Sequence, residues 1–190
     1  LRTAIAQWLL VSRGIRCDPG QIVITAGSQQ ALDLVARLLL DAGDEVLVED
    51  PGYHGIRANL VANGAVARPV PIDVDGMMIA HGAARWPRAR LAVVTPTHQY
   101  PLGVRMSLER RSALLDWARA QRAWIVEDDY DGEFQYGAQR TPALCSMAHD
   151  ARVLYVGTFS KSLGPGLRQG FLVLPEALVD AFARARAVSD

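Results

Sequence analysis

The chain has 190 residues, half of them hydrophobic, with twenty basic and twenty acidic side chains and no formal net charge. Such a chain can bury a substantial core, but it has no net field to draw it to nucleic acid or anionic lipid, and its apolar runs are too short to span a bilayer. Two cysteines without metal-ligand spacing, and no recognisable signal peptide, predict a cytoplasmic protein.

The predicted elements alternate along the chain. The first stretch, LRTAIAQWLLVSRG, has the period of an amphipathic helix, and because it begins at Leu1 we expect an excerpt of a longer protein. Seven short β-branched runs follow, separated mostly by stretches of helical period; the runs are IVIT, EVLVED, AVARPVPI, RLAVVTP, AWIVEDD, RVLYVGT and GFLVLP. The pattern predicts an α/β fold, with a mostly parallel seven-stranded sheet and helices on both faces.

Polar or aromatic groups follow five of these predicted strands. In open α/β sheets, ligands bind beyond the carboxyl ends of the strands, so these positions are candidates for a site. The segments after the five strands are AGSQQ, PGY, TPTHQYPLG, EDDY and the stretch GTFSKSLGPGLRQG.

That last stretch contains Lys161, the single lysine of a chain that has nineteen arginines. A lysine amine can lose its proton and form a Schiff base, whereas a guanidinium stays protonated. A genome biased toward arginine codons explains the count equally well, so the neighbours must decide. A P-loop is excluded because Tyr155 and Ser160 occupy its two glycine positions.

Several of the neighbours suit a phosphate. Ser28 and Gln29 begin a predicted helix, where free N–H groups and the helix dipole favour an anion, although Ser28 alone could be a simple helix cap. Near Lys161, two hydroxyls come from Thr158 and Ser160. Arg168 offers a fork of donors, or an ordinary surface ion pair. Between them, Gly164 and Gly166 permit a tight turn.

The acidic run that begins at Glu127 admits three interpretations. It could hold Mg²⁺ through oxygen ligands, or it could be a solvated loop. Alternatively, Asp128 could pair with a protonated ring nitrogen while Tyr130 donates to a phenolic oxygen, and Tyr53 could stack on the ring. A phosphate, a pyridinium nitrogen, an aromatic face and an aldehyde together describe pyridoxal 5'-phosphate.

At this point the chain resembles a known family. The motifs VEDDYDGEF, TPTHQYPLGV and YVGTFSKSLGPGLRQGFLVLP are similar to those of the pyridoxal-phosphate enzymes of the aspartate aminotransferase fold, or fold type I. Within this group the chain looks most like the aminotransferase-like domain of MocR-type transcriptional regulators of the GntR superfamily. The resemblance implies that residues 1–190 are the large cofactor-binding domain.

The resemblance also implies roles for single residues. Lys161 would form the Schiff base with the cofactor, Asp128 would pair with the pyridinium nitrogen, Tyr130 would lie near the ring oxygen, and Tyr53 would stack on the ring. The first three would be the catalytic residues. The phosphate would be held by Ser28, Gln29, Thr158, Ser160 and Arg168.

Beyond the chain, the resemblance implies a homodimer, an amine or amino-acid ligand, a C-terminal small domain, and DNA binding through a segment that precedes Leu1. No metal and no membrane contact are expected.

One motif departs from ordinary aminotransferases. Where they carry Asn-Pro-Thr-Gly, with the asparagine on the ring oxygen, this chain has Tyr100 followed by Pro-Leu-Gly. Either Gln99 replaces the asparagine, or the site binds amine and aldehyde without fast turnover. His98 is interpreted as structural. A regulator and a class I/II aminotransferase therefore both remain open, with a metal-dependent hydrolase as a third, weaker interpretation.

Overall fold

The computed structural model describes residues 1–134, 141–148, 152–161, 166 and 168–189. Its centre is a single sheet with the strand order β1-β8-β7-β6-β5-β2-β3-β4. The strands in chain order are β1 (Ile22–Thr25), β2 (Glu45–Asp50), β3 (Val66–Asp73), β4 (Gly76–Met77), β5 (Leu91–Val94), β6 (Trp124–Asp129), β7 (Val153–Thr158) and β8 (Gly170–Val173). The five central strands from β7 to β3 are parallel, while β1, β8 and β4 pair antiparallel.

Helices cover both faces of this sheet, which confirms the predicted α/β class. The helices are α1 (Arg2–Arg13), α2 (Ser28–Leu39), α3 (His54–Ala62), α4 (Ile79–Arg85), α5 (Leu108–Gln121), α6 (Leu144–Met147) and α7 (Val179–Ala187). Residues of α2, α3 and α7 form one apolar cluster with one face of the strands. Residues of α4, α5 and α6 form a cluster on the other face, next to a smaller cluster that contains α1.

The sheet has one strand more than the seven predicted. The additional strand, β4, forms a short hairpin with β3, in which Ile72 pairs with Met77 and Asp73 pairs with Gly76. Two residues carry no measurable period-2 pattern, so the sequence signal was too short to detect.

Helix α4 was also missed, because Gly82 lies in its middle and glycine disfavours helices. The fold requires this glycine, since a Cβ at position 82 would lie 2.8 Å from Val70 Cγ2 and 3.2 Å from its Cγ1. Without a side chain, α4 approaches β3 closely. No helix in the described part of the chain is both long and apolar enough to cross a membrane.

Candidate functional site

A cleft of about 250 Å³ lies beyond the carboxyl ends of the parallel strands, where the sequence predicted a site. Its walls come from the segments after β2, β5, β6 and β7 and from the start of α2. The lining residues are Ser28, Tyr53, Thr95, Tyr100, Asp128, Tyr130, Thr158, Ser160 and Lys161. The structure therefore brings seven of the nine predicted site residues to one cleft, from segments that are up to 133 residues apart in the chain. Their individual roles stay predictions.

The pleat of β6 separates three successive carboxylates. Adjacent residues of a strand point to opposite faces, so Asp128 faces the cleft, whereas Glu127 and Asp129 face the other side. Glu127 accepts hydrogen bonds from the backbone N of Leu144 at 2.8 Å and of Cys145 at 2.7 Å. Asp129 forms an ion pair with Arg13 at 2.7 Å. The flanking acids are thus held within the fold, which leaves Asp128 available to a ligand.

Asp128 is nearly buried, with 6% of its surface exposed. Burial first, and then the charge of Asp129, raises the pKa of Asp128 to about 7. Within the described residues, its buried Oδ1 atom has no hydrogen-bond partner. Buried polar atoms in native proteins are nearly always paired, so an unpaired carboxylate oxygen in a cleft requires a donor from a ligand or from water.

Tyr130 follows directly after β6, and its phenol lines the same cleft. Burial, followed by the charges of Asp131 and Asp128, raises the pKa of Tyr130 to about 12. The phenol therefore stays protonated at neutral pH and can donate a hydrogen bond.

At the cleft, the ring of Tyr100 contacts the rings of two other tyrosines, Tyr53 and Tyr130. Tyr100 meets Tyr53 edge to face, with ring centroids 5.7 Å apart and planes at 87°. It meets Tyr130 in the same geometry, with centroids 6.3 Å apart. Tyr100 was noted in the sequence only as a departure from the asparagine motif, and it is a wall residue of the cleft.

The start of α2 presents free donors to the cleft. The N-cap of this helix is Gly27, with φ 86°, and no side chain makes a capping bond. Ser28 is consequently the first residue of the helix and not its cap, so the simpler interpretation of this serine is wrong. Its hydroxyl shares the cleft with those of Thr158 and Ser160, which lie 3.1 Å from each other.

Two predicted phosphate ligands do not line the cleft in the described part of the chain. Gln29 is exposed. Its side chain lies beside Gly55, where a Cβ would be 2.9 Å from Gln29 Nε2. Arg168 is exposed, with φ 44°, and its backbone carbonyl packs near Gly27. Of the two glycines in the predicted turn, Gly164 lies outside the described residues.

Lys161 lines the cleft together with Asp128, as the cofactor hypothesis requires. The residue as a whole is exposed to solvent. It follows β7 by three positions, and Thr158, the last residue of that strand, accepts a hydrogen bond from the backbone N of Ser160 at 3.2 Å.

Glu49 is a buried group that the sequence did not reveal. It lies near the end of β2 and accepts hydrogen bonds from Thr95 and from Gln99 Nε2, the latter at 3.2 Å. Burial is the largest cause that raises the pKa of Glu49 to about 7. The network fixes the segment that carries Thr95 and Tyr100.

The same network argues against one of the two open alternatives, in which Gln99 replaces the asparagine of aminotransferases. Gln99 is buried, and its Nε2 also donates to the carbonyls of Pro51 at 2.9 Å and Tyr100 at 2.6 Å, while its Oε1 accepts from Leu102. Gln99 therefore positions its own loop and does not line the cleft. Its neighbour His98 has Nδ1 3.0 Å from Asp131 Oδ1.

The acidic run does not form a metal centre in the described part of the chain. No group of three or more His, Cys, Asp or Glu side chains there has an arrangement that could hold a metal ion. The pleat of β6 explains this result, because it directs successive carboxylates apart. Among the described residues, the magnesium interpretation therefore finds no set of ligands.

The fold and cleft together define an α/β protein with a cleft at the carboxyl edge of its sheet. Residues 1–188 match the model of the aminotransferase class I and II family, and the chain belongs to that family.

Two relatives illustrate the range of similar proteins. The chain is 44% identical over 184 residues to the probable rhizopine catabolism regulatory protein MocR of Rhizobium meliloti, which covers 97% of this chain and 37% of that protein. It is 38% identical over 184 residues to the 2-aminoadipate transaminase of Thermus thermophilus, covering 94% of this chain and 45% of the relative.

Among solved structures, the kynurenine aminotransferase of Pyrococcus horikoshii in complex with PMP is similar, with a TM-score of 0.93 and 33% identity. This match covers 100% of the chain and 48% of the neighbour. The chain thus spans less than half the length of each of these proteins.

Proposed function

We propose that residues 1–190 are the aminotransferase-like domain of a MocR-type transcriptional regulator of the GntR superfamily. In this proposal the domain holds pyridoxal 5'-phosphate as a Schiff base on Lys161 and exchanges it with an amino-group ligand. The observation that carries the proposal is that one cleft contains both Lys161 and the unpaired, buried Oδ1 of Asp128.

The donors and acceptors of the cleft fit this cofactor. Pyridoxal phosphate supplies an aldehyde that condenses with amines and a ring that accepts electron density. Asp128 would hold a proton at the ring nitrogen, Tyr130 would donate to the ring oxygen, and Tyr53 would cover the ring. Lys161 would provide the amine and, once released by an incoming amine, the base of the cleft.

The phosphate would bind to the hydroxyls of Ser28, Thr158 and Ser160 and to the N–H groups at the start of α2, where the helix dipole favours an anion. Gln29 and Arg168 flank this region and would need to turn their side chains toward the phosphate to take part.

Two observations favour a regulator. Identity to the regulator MocR, at 44%, exceeds the 38% identity to the transaminase. Tyr100 stands where aminotransferases have an asparagine on the ring oxygen, and Gln99 does not replace it. We further propose a cytoplasmic homodimer that binds DNA through a segment preceding Leu1, together with a small domain after residue 190.

A class I/II aminotransferase is the second candidate. The transaminase relative and the TM-score of 0.93 to an aminotransferase structure favour it. In this case the cleft would pass an amino group from an amino acid to a 2-oxo acid, with Lys161 moving the proton at the ligand's carbon.

Borohydride trapping tests the cofactor. The full-length protein is mixed with pyridoxal phosphate, reduced and digested, and the peptides are analysed by mass spectrometry. We expect a phosphopyridoxyl group on Lys161, and no label at this position in Lys161→Arg, which keeps the charge. Labelling of other amines with Lys161 unmodified would reject the proposal.

A second experiment separates the two candidates. The loaded full-length protein is incubated with a panel of amino acids, and 2-oxo acid products and DNA affinity are both measured. A change of DNA affinity without multiple turnovers supports the regulator. Sustained product formation with unchanged DNA affinity supports the aminotransferase.

A further inference from the structure

Arg13, the last residue of α1, is almost completely buried, with 2% of its surface exposed. Its guanidinium reaches three different partners. Nε lies 2.7 Å from Asp129 Oδ2, Nη1 donates to the carbonyl of Gly132 at 3.2 Å, and Nη2 donates to the hydroxyl of Thr97 at 2.7 Å. Two of its nitrogens thus donate hydrogen bonds while the third lies beside a carboxylate, an arrangement that the single amine of a lysine could not reproduce.

These partners lie at the end of β6 and in the loops after β6 and β5, which form part of the cleft. Asp129 follows Asp128 in the chain, and Gly132 lies two residues after Tyr130. Arg13 therefore contacts the chain on either side of Tyr130. Thr97 lies between Thr95 and Tyr100, which line the cleft from the other loop. One guanidinium thus joins α1 to both loops without itself lining the cleft.

Asp129 ties a further strand into this arrangement. Its Oδ2 atom also accepts a hydrogen bond of 2.6 Å from the phenol of Tyr155 on β7. Within the described residues, the ion-pair partner of Asp129 is Arg13. Loss of one partner of a buried ion pair leaves the other charge uncompensated, so a displacement of Asp129 would disturb α1, and the reverse also holds.

Apart from Arg13, few residues of α1 are buried against the rest of the protein. Its buried residues are Ile5, Leu9 and Arg13, a single stripe at intervals of four, while Val11 is 82% exposed. Besides its side-chain bonds, Arg13 accepts a long backbone hydrogen bond of 3.4 Å from Ala143. At the C-terminal end of α1, the guanidinium therefore supplies the side-chain contacts to the cleft segments, while Ile15 just beyond the helix packs with Ile5 and Leu9.

We infer that Arg13 is a positioning residue that couples occupancy of the cleft to α1, and through α1 to whatever chain segment precedes it. This inference rests on the proposed function, because it takes pyridoxal phosphate as the occupant. Binding that fixes Asp128 and Tyr130 also fixes Asp129 and Gly132, and Arg13 passes this restriction to the helix. Such coupling requires contacts that differ between the empty and the occupied cleft, and we assign them to the contacts of Arg13 with Asp129, Gly132 and Thr97.

Hydrogen exchange of the full-length protein tests the inference. Deuterium uptake by residues 2–13 is measured with and without pyridoxal phosphate. In the wild type we expect the cofactor to slow exchange of α1 by roughly fivefold or more, the lower end of common allosteric couplings. In Arg13→Met, Lys161 should still be labelled by borohydride trapping, but exchange of α1 should no longer depend on the cofactor.

Two further variants keep the test informative if Arg13→Met does not fold. Arg13→Lys keeps a positive charge for Asp129 but cannot make both guanidinium hydrogen bonds to Gly132 and Thr97, and should retain part of the response. Thr97→Val removes only the tie to the loop after β5, and should reduce the response at least twofold. The matched control is Arg2→Met, an exposed arginine on the same helix, which should respond as the wild type does.

The outcomes distinguish this inference from the proposed function. A purely structural role of Arg13 would speed exchange of α1 equally with and without cofactor, so an unchanged ratio in Arg13→Met overturns the inference. It is also overturned if α1 of the wild type does not respond although Lys161 is labelled. Absence of label on Lys161 in the wild type rejects the proposed function itself, and the inference with it.

Discussion

The carboxylate of Glu49 on β2 accepts two hydrogen bonds from Thr95, from its backbone N at 3.2 Å and from its hydroxyl at 2.6 Å. The two residues lie near the ends of neighbouring parallel strands, so this contact joins the carboxyl edges of β2 and β5. It also fixes the loop whose next residues include Tyr100, one wall of the cleft.

Replacing Glu49 should destabilise the protein although the residue does not line the cleft. Glu49→Ala leaves buried donors of Thr95 and Gln99 without this acceptor, and we expect a loss of about 3 kcal/mol in the free energy of unfolding. Glu49→Gln should cost less, because its amide oxygen still accepts. Chemical denaturation measures both. Asp116→Ala, at an exposed position on α5, is the control and should change stability by less than about 0.5 kcal/mol.

The stability of the cofactor-free protein should fall between about pH 4 and pH 7 because of Asp128. Its pKa is 3.8 in the unfolded chain and about 7 in the fold, since burial and Asp129 disfavour the ionised form. Between these values the fold retains a proton that the unfolded chain has released. Rising pH therefore favours unfolding, by up to about 1.4 kcal/mol per pH unit, and this contribution levels off above about pH 7.

The measurement is a series of denaturation curves at different pH for the wild type and Asp128→Asn. The variant cannot titrate at this position, so its stability should depend less steeply on pH within the same range. Identical slopes for the two proteins would show that Asp128 ionises in the fold as it does in water.

Tyr100 should strengthen cofactor binding through its contacts with Tyr53 and Tyr130. Edge-to-face pairs contribute about 0.5–1.5 kcal/mol each, so Tyr100→Ala should raise the dissociation constant of pyridoxal phosphate about tenfold. Tyr100→Phe keeps both ring contacts and should bind within about twofold of the wild type. Fluorescence titration of the full-length apoprotein measures the constants. Leu102→Ala, an exposed change in the same loop, is the control, and equal affinities of Tyr100→Ala and this control would refute the prediction.

Replacing Gly82, in the middle of α4, by alanine should lower the free energy of unfolding. Helix propensity alone predicts that Gly82→Ala stabilises by about 1 kcal/mol. The close approach to Val70 opposes this gain, because overpacking costs about 1–3 kcal/mol, and we expect a net loss of about 1 kcal/mol. In the background of Val70→Ala, which removes the two methyl groups in question, the same change should become neutral or stabilising. A gain in the wild-type background would show that α4 can move away from β3.

Local patterns in the sequence predicted seven of the eight strands in the described sheet, the longer helices and the edge of the sheet where the cleft lies. Asp128 and Lys161 were found because each follows or ends a strand run, and strand ends converge in a parallel sheet. The resemblance supplied the roles that patterns alone left open.

The partners of buried charges could not be predicted in this way. Arg13 ends a helix, where a basic residue is common because of the helix dipole, so nothing nearby indicated that it pairs with Asp129, 116 positions further along. Glu49 lies between Val48 and Asp50 in a strand run with three acids, and only the packing of β2 against β5 distinguishes it from the others. Such partners are set by the packing of segments that are distant in the chain, and the spacing of residues within one segment does not indicate them.

The alternation along β6 restricts how this protein can evolve. The contacts of its three acids depend on the order of the residues, because Glu127 and Asp129 reach their partners on one side of the sheet and Asp128 faces the cleft on the other. Deleting or inserting a single residue in this strand would exchange the two sides, turning a neighbouring acid toward the cleft and Asp128 toward the opposite face. The apolar positions of β6 can accept substitutions of similar volume, but the number of residues between its start and Tyr130 cannot change.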